Sequence, residues 1–351
     1  MIKIWAGHAV SRRQFAISIG ELRDEDPQSI VLMYNERHEI LWGFAELPRT
    51  IKSITSIIDP GDGKPVFVPM SNEGDVYFLI GDIPVEKIEG AGVLSDDAEG
   101  YGAMSRIAED HGRLYACGYG SQLYERRRED DWLRLCDLDV QGVEDCAFFG
   151  MAIRPGDGPL ALCGQKRVQY NDPTPEQHEQ IDRARARGDA DGADALEERF
   201  RTIRVPPSTA LYLRNGGWAE APTDAPGGLN DCIVMPGGEV VAVGDHGFIV
   251  RATDPTATED LSSVGLTDDL YTVALWQGEV AVLGSAGIHV FDTALAYRRS
   301  IELPTDLRTP NRMDVVGRDI ILFDYSGVAV LKGDRWERIP IPDDMWALAS
   351  A

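Results

Sequence analysis

Apolar residues fall in short runs along this chain, broken by glycine, aspartate, asparagine and proline, the rhythm of strands and tight turns. Four segments carry it most clearly: LYACGYGSQLYER from Leu114, VVAVGDHGFIVRA from Val240, VAVLGSAGIHVFD from Val280 and IILFDYSGVAVLK from Ile320. Each predicts a strand, a turn and a second strand. Gly244, Gly284 and Asp324 recur at forty-residue spacing, with Gly247, Gly287 and Gly327 three residues after each; Gly118 holds the first place in the Leu114 copy. Glycine is expected in these turns because a positive φ costs it little.

Each copy has a further strand upstream (DCIVM from Asp231, LYTVALW from Leu270, MDVVG from Met313) and another downstream (DWLRLCD, AYRRSIEL, RWERIPI). Four short antiparallel strands in about forty residues make one propeller blade, which buries its faces only between two neighbours. The predicted fold is all-β: one β-propeller domain over 1–351, with blades at 1–50, 53–90, 100–138, 139–228, 229–267, 268–308 and 309–342. Six blades is the alternative, if the first segment is a cap. MIKIW could pair with either terminal blade as a clasp. DDMWALAS is expected to be a helical turn or tail with Trp346 packed on the rim.

An insertion at 171–200 interrupts the fourth blade. Thr174 is a predicted helix cap with Pro175 at the first helical position. Nine acidic and four basic residues suggest a solvated loop with a short helix. DADGAD lacks the spacing of a calcium loop.

The net charge of −24 disfavours nucleic acid and anionic membranes and favours a basic protein partner. No apolar run is long enough to span a bilayer, and MIKIWAGHAVSRRQF lacks the form of a secretory leader. Five cysteines (117, 136, 146, 163 and 232), odd in number and without a CxxC pair, read as buried thiols in a reducing compartment. A cytoplasmic location follows as the expectation, with no metal or cofactor and a free monomer.

GxSxG, HExxH, the Walker sequence and a strand–GxGxxG–helix unit are all absent. Candidate binding residues are those at the turns between middle strands: Tyr119, Gln165, Asp245, His246, Ser285, Asp324 and Tyr325. In a propeller these turns share one face, and Tyr, Gln, His and Asp suit a wet contact surface. Trp132, Trp218 and Trp336, late in their blades, are expected to cover seams between blades. His289 falls within a strand as a packed or edge residue, and Trp276 ends an inner strand.

The stretch from Gly112 to Arg134, with Gly118, Trp132 and the LYAC run, resembles the repeat of bacterial propellers of the WD40/YVTN/BNR-like superfamily. GH occurs only at Gly7–His8, WD does not recur, and the Asp box is absent, so no catalytic residue carries over. The resemblance implies a small cytoplasmic propeller of immunity or adaptor type. With the missing motifs and the acidity, the expected function is a non-catalytic protein-binding platform that neutralises or escorts a basic toxin or effector. The alternative is a propeller enzyme or small-molecule binder of glycosidase, lyase or lactonase type, using the channel mouth.

Overall fold

The repeats fold into seven four-stranded antiparallel sheets set around a channel, a seven-bladed β-propeller. The structure is a computed structural model describing residues 2–20, 28–135, 146–166, 169–170, 173–187, 189–200, 203–205, 208–225, 227–262, 265–307 and 309–349. Within each sheet the strands are consecutive, and only blade 4 has an insertion between its second and third strands. The innermost strands of blades 1 to 7 are Lys3–Ser11, Ile51–Ile58, Met104–Asp110, Cys146–Arg154, Leu229–Val234, Leu270–Trp276 and Pro310–Val316. Second strands are apolar without alternation because neighbouring blades cover both their faces: Val240–Gly244 is buried at every position. Outer strands such as Tyr297–Ile301 are largely exposed.

The first segment forms a full blade rather than a cap, from strands Lys3–Ser11, Gln14–Gly20, Ser29–Asn35 and Trp42–Leu47. Lys3, Ile4 and Trp5 of MIKIW begin its innermost strand, Lys3–Ser11, which pairs with Gln14–Gly20. Among the described residues no strand is shared between the chain ends, and side-chain packing with a few hydrogen bonds joins blade 1 to blade 7. Phe15 stacks on Tyr34 at 4.9 Å and meets Phe323 of blade 7 edge-on at 6.1 Å. The Ile4 N–H donates to the Tyr325 carbonyl at 3.0 Å, and Trp42 Nε1 donates to the Pro340 carbonyl at 3.2 Å. A short helix, Asp343–Leu348, lays Met345 and Trp346 against the same seam.

The expected role of the turn glycines needs correction. Of Gly118, Gly244, Gly247, Gly284, Gly287 and Gly327, only Gly247 has a positive φ, of 74°. Gly244 is extended, and a Cβ there would run into the Gly228 carbonyl oxygen where the chain approaches the innermost strand. Close backbone contact, not left-handed geometry, demands glycine at that position.

The outer-strand tryptophans lie against the preceding blade. Trp132 Nε1 donates to Glu86 Oε2 at 3.0 Å, and Glu86 also receives Arg126. Trp336 Nε1 donates to the Glu302 carbonyl at 2.8 Å, and Trp218 packs on the cluster that joins Tyr115 and Leu123 of blade 3 to Phe148 and Tyr212.

The insertion is a helical hairpin, Pro175–Ala186 and Ala190–Phe200, on a two-stranded base, Gln169–Tyr170 with Ile203–Val205. Thr174 and Gln177 form a capping box. The second helix corrects the expected loop: Ala193, Leu196 and Phe200 form a stripe that packs on Ile181 and Ala184. Cys117, Cys146, Cys163 and Cys232 are buried free thiols; burial pushes Cys117 up to about 12 and raises Cys146 and Cys163. Cys136 lies outside the described residues.

Candidate active site in the propeller channel

The innermost strands share one irregularity. Near its start each carries a bulge opposite the end of the second strand, which leaves one residue unpaired: Trp5, Lys52, Ser105, Phe149, Asn230, Tyr271 and Asn311 in blades 1 to 7. Bulges re-aim side chains, and seven at one level make a ring at the upper mouth. Six of these residues, all but Phe149, line a cavity of about 140 Å³. Below it a larger chamber of about 420 Å³ runs to the opposite ends of the strands. Arg106, Thr272 and Arg312 line both and form the girdle between them.

Charges at the girdle are paired, one pair across blades and one within blade 7. Arg106 reaches Asp231 Oδ1 at 3.4 Å, and Asp231 Oδ2 accepts the Val273 N–H at 3.2 Å. Arg312 Nε donates to Asp314 Oδ1 at 3.0 Å. Asp314 Oδ2 accepts from the Ala9 N–H at 2.8 Å and from His8 Nδ1 at 3.1 Å. Burial alone would raise the Asp314 pKa, but Arg312, His8 and the Ala9 N–H outweigh it and hold the carboxyl well below the usual carboxylate range. Burial and the neighbouring Arg106 push Arg312 down.

An ionised Asp314 can only accept, so His8 carries a proton on Nδ1, and in the neutral imidazole Nε2 is then the acceptor. Ser56 Oγ stands 3.0 Å from that nitrogen. Ser56, His8 and Asp314 therefore form a hydroxyl–imidazole–carboxylate chain from three successive innermost strands, those of blades 2, 1 and 7. The His8 ring also meets Phe67 edge-on at 6.5 Å, which limits its rotation. His8 and Asp314 line the lower chamber.

A second chain of the same type shows what a purely structural version looks like. His289 bonds Ser300 Oγ at 2.9 Å and Asp268 Oδ2 at 3.1 Å. Its side chain is 6% exposed, against 22% for His8, and it lines neither channel cavity. It ties the outer strand of blade 6 to the loop before its inner strand.

The turn residues singled out from the sequence surround the upper ring in several blades. Tyr325 packs on Trp5 at 5.8 Å and Tyr119 on Phe149 at 5.9 Å. Ser285 bonds Tyr271, and Asp245 accepts from Asn230 Nδ2 at 3.0 Å. Asp324 is fully buried and accepts from Ser326 in its own turn and from Thr309 just before the innermost strand. His246 is exposed and donates its N–H to Asp269. Gln165 lies within a strand, paired with Ala147 and Thr209, because the insertion displaces the turn. Trp276 is buried and donates to the Arg318 carbonyl. Sequence reasoning missed His8, Ser56, Arg106, Asp231, Arg312 and Asp314. The available signal was polar residues at matching places in successive innermost strands, offset by the bulge. Among the described residues no three His, Cys, Asp or Glu side chains gather as metal ligands.

No family model matches the chain, and no curated protein does. Solved structures match its fold at low identity. YCF48 bound to D1 peptide is 8% identical with a TM-score of 0.58, over 97% of this chain and 92% of that one. The WD40 propeller domain of Doa1 is 11% identical with a TM-score of 0.56, over 93% and 91%. A streptogramin B lyase is 9% identical with a TM-score of 0.52, over 83% and 88%. A virginiamycin B lyase from Staphylococcus aureus also matches, at 11% identity and a TM-score of 0.43, over 98% of this chain and 86% of that one. The streptogramin B lyase overturns the expectation of a non-catalytic binding platform of immunity or adaptor type, since a fold like this one houses an enzyme there. The chain has the fold of a seven-bladed propeller, similar in fold and at low identity to a WD40 propeller and a lyase propeller.

Proposed function

We propose that the protein is a small-molecule hydrolase acting on an ester or lactone in the lower chamber. Ser56 is the nucleophile, His8 the general base and then acid, and Asp314 the carboxylate that orients His8. The observation that carries this is the Ser56–His8–Asp314 chain at a chamber whose girdle holds Arg106 and Arg312. Ser56 Oγ attacks the acyl carbon and passes its proton to His8 Nε2. The alkoxide leaves with that proton. Water then adds to the acyl-serine, again through His8, releasing the acid and restoring Ser56. Arg106 and Arg312 supply positive charge for a substrate carboxylate or a developing oxyanion. Glycoside hydrolysis fits less well: Asp314 is held ionised and Asp231 is committed to Arg106 and Val273, so neither is placed as a protonated acid.

One observation favours elimination as a second reading: His8, rather than Ser56, lines the chamber. His8 would then take a proton from the carbon next to a carbonyl.

A panel of short p-nitrophenyl esters and five- and six-membered lactones separates the two. Hydrolysis gives a product one water heavier, and Ser56→Ala lowers kcat/KM by about a thousandfold or more. Elimination opens a lactone without change of mass and depends on His8 while tolerating Ser56→Ala. No turnover across the panel contradicts both.

A further inference from the structure

The upper cavity uses different residues and needs no catalytic role. In a chain with 58 acidic side chains, Lys3 and Lys52 have no carboxylate partner among the described residues. Both lie beside Trp5, with Nζ 5.9 and 5.7 Å from its ring, and Lys3 also lies 5.1 Å from the Tyr325 ring. Lys52 reaches solvent in the mouth, yet its surroundings desolvate it enough to lower its pKa. Arg106 and Arg312 close the floor. An ammonium desolvated without a counter-charge is a standing attraction for an anion.

The two asparagines define the rest of the ligand. Asn230 Nδ2 donates to the Leu270 carbonyl at 2.9 Å, and Asn311 Nδ2 donates to the Trp5 carbonyl at 2.8 Å. Carbonyl oxygens cannot donate, so both amides are fixed with nitrogen toward the backbone, leaving each Oδ1 as the polar end for the cavity. The ring thus offers cations on the Lys52 side and amide acceptors on the Asn230 and Asn311 side. About 140 Å³ holds only a few heavy atoms.

We propose that the upper cavity binds a small dihydroxycarboxylate, its carboxylate on Lys52 and its two hydroxyls donating one each to the Asn230 and Asn311 side-chain oxygens. This does not rest on the hydrolase assignment.

The test is titration of the full chain with glycerate, acetate, glycerol and inorganic phosphate, followed by calorimetry and by tryptophan fluorescence with Trp5→Phe as the spectral control. Glycerate is expected to bind at least about tenfold more tightly than acetate or glycerol, since it alone satisfies both sides. Lys52→Met should weaken it about tenfold or more, as should Asn311→Asp, which sets a carboxylate against the anion. His8→Asn should leave binding unchanged. The proposal is overturned if glycerate binds no better than acetate, if phosphate binds more tightly, if Lys52→Met has no effect, or if nothing binds.

Discussion

His8→Asn is expected to lower kcat/KM for any ester or lactone the protein hydrolyses by about a thousandfold or more, mostly in kcat. The imidazole lines the chamber and is the one group bonded to both Ser56 Oγ and Asp314. Asparagine keeps a polar side chain in the space but cannot shuttle the proton. Asp314→Asn should cost on the order of a hundredfold to ten-thousandfold, because an amide can donate to Nδ1 and so hold the wrong tautomer. His289→Asn should leave kcat/KM within about threefold when assayed well below the melting point, since that imidazole lies outside the channel cavities. Equal losses for His8→Asn and His289→Asn would mean that both act through stability alone.

Asp314→Ala is expected to destabilise the fold by about 3–5 kcal/mol, the usual effect of stranding a buried partner. Arg312 would lose its carboxylate beside Arg106, and the Ala9 N–H would lose the bond that ties blade 1 to blade 7. Among the described residues the ring has no strand shared between its ends, so this contact belongs to its closure. Because the folded pKa of Asp314 is depressed, its contribution is fully present above the unfolded carboxylate value of about 3.9 and is lost as pH falls toward the folded value. Denaturant titrations at pH 7 and pH 3 check this. The gap between wild type and Asp314→Ala should be wide at pH 7 and narrower at pH 3. A gap that widens in acid would contradict the assigned ionisation.

The blades were legible because second and third strands are covered on both faces and so repeat as apolar runs around a tight turn, as at Val240–Gly244 and Asp319–Asp324. The site was not, for two physical reasons. His8 and Asp314 are joined only when the ring closes, and nothing local marks that closure. The bulge also inserts an unpaired residue ahead of Arg106, Asp231 and Arg312, so strict two-residue alternation misplaces them. Polar turns drew attention instead. Asp324 illustrates the pitfall: its carboxylate is taken up by Ser326 in its own turn and by Thr309 just before the innermost strand. The helix at 190–200 was obscured by its Ala, Asp and Gly composition, although Ala193, Leu196 and Phe200 already had the spacing of one helical face.

Activation of Ser56 can be read without knowing the natural substrate. The full chain is treated with a fluorophosphonate, which phosphonylates hydroxyls activated by a neighbouring base, and the modified residue is mapped by mass spectrometry. A single adduct on Ser56, lost in His8→Asn and retained in His289→Asn, is the expected outcome. An unmodified Ser56, or labelling that persists without His8, would contradict a nucleophile held by the His8–Asp314 pair.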